Sequence, residues 1–67
     1  MESWKPVFHF AGGETAGNSQ RFATKGEAEQ SAAARFQVWT MPEGYGVERT
    51  TGPVNYRFDG ETGDIAI

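Results

Sequence analysis

Sixty-seven residues, a 37% apolar share and a mean hydropathy of −0.59 predict one small domain spanning residues 1–67. Six Lys and Arg against nine Asp and Glu leave a net charge of −3, the wrong sign for general nucleic-acid binding, which rests on phosphate neutralisation. With no cysteine, disulfides and cysteine-ligated zinc are excluded; no run approaches the ~20 apolar residues of a membrane span, and no basic-then-apolar signal opens the chain.

Trp4 to Ala11 alternates with period two: Trp4, Pro6, Phe8 and Phe10 share one parity, Lys5, Val7, His9 and Ala11 the other. That pattern predicts a strand with an aromatic buried face. Pro6 has no N–H to give a ladder, which places this part of the strand on an edge or near its start. Gly12 to Ser19 carries three glycines and no large apolar side chain, the composition of a loop or of a wide hairpin tip. Gln20, Arg21 and Phe22 are enough for a short second strand and too few to decide it.

The helix carries the clearest local signal. Thr24-Lys25-Gly26-Glu27 has the spacing of a capping box, in which the Thr24 hydroxyl accepts from the Glu27 N–H and the Glu27 carboxylate accepts from the Thr24 N–H. Glu27 and Glu29 complement the helix dipole in the first turn. From Lys25 to about Trp39 the chain is proline-free and rich in alanine. Ala28, Ala32, Phe36 and Trp39 fall on one helical face, expected to pack on a sheet, whereas Glu27, Gln30 and Ala34 look outward. Pro42 disfavours helical geometry at Met41 and ends the helix at or before Thr40.

Beyond the Pro42-Glu43-Gly44 turn, Tyr45 to Thr50 alternates as a strand, broken by Thr51-Gly52-Pro53. Val54, Tyr56 and Phe58 then alternate with Asn55, Arg57 and Asp59. Asp59-Gly60 and Thr62-Gly63 are turn dipeptides, and Ile65 and Ile67 suit a last short strand. Strands on both sides of one helix predict an α+β fold of two layers: a small antiparallel sheet of three to four strands packed on one α-helix.

No constellation for catalysis emerges. His9 is the only histidine and lies on the parity opposite the aromatics, facing solvent. Ser3, Ser19 and Ser31 sit at the terminus, in the loop and in the helix, with none in a strand-to-helix elbow beside a base. Asp59, Glu61 and Asp64 crowd three carboxylates into six residues but lack the spacing of a calcium loop, and turn chemistry explains the segment without metal. Gly12-Gly13 with Gly17 lacks the Gly-Lys-Ser/Thr of a phosphate loop. No cofactor and no metal are expected, and the chain reads as a non-enzyme. Arg21, Arg35 and Arg57 each adjoin an aromatic, as in single-strand binders, yet cation and ring fall on opposite parities. The carboxylates Glu43, Glu48, Asp59, Glu61 and Asp64 remain as candidate contacts for a basic partner surface.

Arg21-Phe22-Ala23-Thr24-Lys25-Gly26-Glu27-Ala28-Glu29 leading to Trp39-Thr40, followed by Pro53-Val54-Asn55-Tyr56-Arg57-Phe58, resembles a group of short uncharacterised bacteriophage and prophage proteins. These carry a similar capped helix ending in Trp-Thr and a Pro-Val-Asn-Tyr-Arg strand. The resemblance covers the second two-thirds of the chain and brings no functional residues with it. It implies a setting: the cytoplasm of a bacterial host, and an accessory that binds host machinery, anti-CRISPR proteins being one such class. A protein or nucleoprotein partner and no membrane are then expected. The alternatives are a homodimeric structural or regulatory module built on an open sheet edge and, behind it, a single-stranded nucleic-acid binder.

Overall fold

A computed structural model describes residues 2–39 and 41–67. Five strands and one helix follow in the order β1 (Glu2–His9), β2 (Thr15–Gly17), α1 (Lys25–Val38), β3 (Gly44–Thr51), β4 (Tyr56–Asp59) and β5 (Gly63–Ala66). The α+β class and the helix packed on antiparallel sheet agree with the alternation patterns. The strands divide into two sheets, however: a three-stranded one in the order β2-β1-β3 and a two-stranded β4-β5 hairpin. Among the described residues β3 makes no contact with β4 or β5, whereas α1 touches both sheets. A period-two pattern says which residues share a face, not which strand lies alongside, so it does not separate one sheet from two.

The core lies under the first half of α1. Ala28 and Ala32 are fully buried, and their small side chains let the helix approach Phe8 and Phe22, which are 2% and 0% exposed. Phe22 exchanges two backbone hydrogen bonds with Trp4 (2.9 and 2.8 Å) as an isolated bridge, so Gln20 to Phe22 is not a strand. Arg21 extends the connection on its other side, its carbonyl accepting from the Asn55 and Tyr56 N–H groups at 3.0 and 3.1 Å. Its own N–H donates to Asn55 Oδ1 at 2.7 Å. This segment and α1 together join the two sheets. β4 begins at Tyr56 and not at Val54; the Asn55 N–H and side chain bind Arg21, while its carbonyl accepts from the Ile67 N–H at 3.0 Å.

Toward the helix C-terminus the packing is aromatic and looser. Trp39 meets Phe8 and Phe10 edge-on, with ring centroids at 5.2 and 5.5 Å, and Phe36 packs against Tyr45 at 5.1 Å. Phe36 and Trp39 occupy the predicted face but stay half-buried. The helix ends at Val38, and the capping Trp39 N–H makes the last helical hydrogen bond, to the Arg35 carbonyl at 3.0 Å. Thr40, the latest residue at which the helix was expected to end, lies outside the described residues.

Pro6 corrects the expectation of an edge. It sits inside β1, the central strand, opposite Val47 of β3. Trp4 directs both its peptide groups to Phe22, away from β3, and Pro6 shares its parity. The missing N–H of Pro6 therefore faces the flank where β2 has ended at Gly17 and the Phe22 bridge has not begun. Only one flank needs a donor at each residue, and here that flank is interrupted. The β1–β2 turn is closed by the Gly13 N–H donating to the Phe10 carbonyl at 3.2 Å, with Gly12 at φ +90°, a region that costs glycine little.

Candidate functional site

The five carboxylates expected to meet a partner fall into two groups. Glu43 and Glu48 belong to the start and middle of the β3 segment, and Asp59, Glu61 and Asp64 to the β4–β5 hairpin, on sheets that do not touch. Their surroundings differ more than their sequence spacing suggests.

Asp64 turns inward. It pairs directly with Phe58 across the hairpin, so the two share the face turned toward α1. Asp64 Oδ2 accepts from Gln20 Nε2 at 2.9 Å and from Arg35 Nη2 at 3.4 Å, and its side chain is only 19% exposed. Asp64 Oδ1 is buried without a partner, as are the hydroxyls of Ser3 and Ser31. A carboxylate so placed holds the hairpin to the helix and is not available as a free contact. Glu48 is exposed and lies opposite Lys5 in the ladder, with a 3.5 Å ion pair that partly neutralises it.

Asp59 organises the turn between β4 and β5. Its Oδ1 accepts from the Glu61 N–H at 2.7 Å and the Thr62 N–H at 3.3 Å, and Gly63 closes the turn at φ +85°. The Glu61 and Thr62 N–H groups, with a smaller contribution from the Arg57 charge, hold the Asp59 carboxyl below the ordinary aspartate value. Asp59 is thus a fixed negative charge at the hairpin tip. Glu61 beside it is exposed, as is Glu43, and neither forms an ion pair among the described residues.

Glu27 is a structural carboxylate that helix periodicity misplaces. The Thr24 hydroxyl accepts from the Glu27 N–H at 3.2 Å, as a cap should. The Glu27 carboxylate does not complete the box. Its Oε2 accepts from the Phe58 N–H at 3.1 Å, and its Oε1 takes a long 3.4 Å bond from the Thr24 hydroxyl. Glu27 therefore looks across to β4 and ties the first turn of α1 to that strand. The capping signature is local, whereas this acceptor role needs a strand 31 residues away.

Of the arginines considered for single-stranded nucleic acid, Arg21 donates Nη1 to the Asn18 and Gln20 carbonyls at 2.8 and 2.9 Å, and Arg35 is held by Asp64. Arg57 is exposed. His9 is exposed, as its parity predicts, and among the described residues no group of three or more His, Cys, Asp and Glu is placed to hold a metal ion. None of the described helices is long and apolar enough to cross a membrane. An open groove of about 670 Å³ runs between the first half of α1 and β3, lined by Thr24, Glu27, Glu29, Gln30, Tyr45 and Gly46. Its two charged side chains are both carboxylates. Comparison with protein-family models, with curated proteins and with solved structures finds no match to this chain.

Proposed function

We propose that the chain is a small non-enzymatic binding protein of phage or mobile-element type, which occludes a surface of a host nucleoprotein machine as an anti-CRISPR-like inhibitor does. The observation that carries this reading is the hairpin tip, where Asp59 is held ionised by two backbone N–H groups and Glu61 stands exposed beside it. A pair of negative charges on a capped turn suits a basic groove of the kind that receives nucleic acid. The polar side chains deeper in the protein support a binder over a catalyst. Asp64, Arg35, Gln20, Asn55 and Glu27 hold one element to another. The contact set narrows to Asp59 and Glu61, with Glu43 on the other sheet as an outlying charge.

A pull-down from bacterial lysate at low salt tests the reading, using the parent chain and the Asp59→Asn/Glu61→Lys double variant. Asparagine keeps the turn-capping oxygen, so the variant changes charge and leaves the hairpin intact. The reading requires a nucleoprotein complex that the parent retains and the variant loses. Equal retention by both would show that the hairpin tip is not the contact.

A further inference from the structure

The three other sheet edges are short or closed. β2 has three residues and β5 four. On the outer side of β4, the Tyr56 N–H donates to the Arg21 carbonyl and the Phe58 N–H to Glu27, so its donors are taken. The outer edge of β3 is different. It runs eight residues without a proline, in unbroken register with β1 from Gly44 to Thr51. Since Trp4 and its parity mates point away from β3, the odd residues of β1 pair with the even residues of β3. The peptide groups of Tyr45, Val47 and Arg49 consequently face outward, and among the described residues no hydrogen bond engages them. Long open edges of this kind are templates for another strand.

We propose that β3 pairs with β3 of a second copy of this chain, antiparallel about a two-fold axis at Val47, to make one continuous six-stranded sheet. The sequence of the strand selects both the occupant and the register. With the axis at Val47, Val47 meets its own copy, Tyr45 faces Arg49 of the partner subunit, and Gly46 faces Glu48 of the partner subunit. Tyr45, Val47 and Arg49 lie on the helix side of the sheet with Phe8, Pro6 and Trp4, and Gly46 and Glu48 on the other. Each arginine then lies against a tyrosine ring, each glutamate opposes a glycine, and no like charges oppose one another. Moving the axis to Arg49 sets two guanidiniums face to face; moving it to Glu48 does the same with two carboxylates. Moving it to Gly46 or to Tyr45 shortens the overlap, because the strand begins at Gly44. The Val47 register forms about six backbone hydrogen bonds from Tyr45, Val47 and Arg49 of the two copies. The pairing rests on strand geometry alone and stands independently of the host partner proposed above.

Sedimentation equilibrium at about 100 µM, where a dimer of micromolar Kd is populated, tests it against a chain mass of 7.3 kDa. The parent should sediment at twice that mass. Gly46→Glu sets a carboxylate opposite Glu48 of the partner subunit at two symmetric places and should weaken the dimer roughly two- to thirtyfold; Gly46→Lys should strengthen it by a similar factor. Gly46 has an ordinary negative φ and only the His9 ring near its missing Cβ, at 3.6 Å, so both variants fold. The chain has no cysteine, so Val47→Cys offers a single thiol on the axis, where a Cα separation of roughly 5.5 Å suits a disulfide. Rapid oxidation of that variant to a dimer is the expected result. A chain that remains monomeric overturns the proposal. So does a dimer that ignores the sign of the charge at residue 46 and leaves the Val47→Cys thiol reduced, and so does an edge that accepts an unrelated strand in place of a second copy.

Discussion

Replacing Glu27 with alanine separates two roles for one side chain. In a closed capping box the lost partner is the Thr24 N–H; in the arrangement found here it is the Phe58 N–H, 3.1 Å from Oε2. The variant loses a hydrogen bond to an ionised acceptor, worth about 1.5–3 kcal/mol where it is well shielded. Phe58 is half-buried, so water partly replaces the carboxylate and the lower half of that range applies. Loss of the first-turn charge adds about 0.3–1 kcal/mol. A total near 2–3 kcal/mol corresponds to a fall in Tm of roughly 8–24 °C for a domain of this size. Glu27→Gln keeps an acceptor oxygen without the charge and should cost about half as much. Amide hydrogen exchange followed by NMR locates the effect: the Phe58 amide should lose protection in Glu27→Ala, while the Thr24 amide is unchanged. Loss at Thr24 with Phe58 still protected would refute the reasoning and restore the closed box.

Other substitutions rank by what each side chain touches. Phe22→Ala empties a fully buried site and should cost about 3–5 kcal/mol in urea denaturation, ahead of half-buried Phe36→Ala at roughly 1.5–3, then Thr24→Ala at about 0.5–2, with exposed Glu29→Ala close to neutral. Arg35→Met leaves half-buried Asp64 with Gln20 alone and should cost about 1–2 kcal/mol, a loss that Asp64→Asn in the same chain partly restores. Asp59 has a folded pKa below its unfolded one, so its contribution to stability is present above the unfolded value and is lost as pH falls through the folded value. Thermal melts from pH 6 down to about pH 2 should therefore show a steeper acid decline for the parent than for Asp59→Asn.

Much of the fold is written in local patterns. Thr24 with Glu27, the alanines at 28 and 32, and Pro42 mark where α1 starts, which face it buries and where it must stop, because each acts within a turn or two of itself. Alternation locates β1, β3 and β4 to within a few residues. What it leaves open is partnership. Pro6 suggests an edge only until the detour between Gly17 and Phe22 is known, and Glu27 looks outward only until β4 is placed across from it. The candidate site shows the same division. Asp59 beside Gly60 announces a capped turn, and the structure has one. Asp64 lies five residues on in the same acidic run, yet its register with Phe58 turns it inward to Arg35. The open β3 edge has no local signature, since an edge is defined by the strand that is missing.

The proposed charge-steered contact at the hairpin tip is tested most directly by the association rate of the chain with a complex recovered in the lysate pull-down, followed across ionic strength. Parent and Asp59→Asn/Glu61→Lys would be compared from about 20 mM to about 500 mM salt, a span over which screening shortens from roughly 20 Å to a few ångströms. The account predicts a parent rate that falls steeply with salt and a variant rate that is low at 20 mM and nearly flat. Superimposable rates for the two chains at every salt concentration would contradict it.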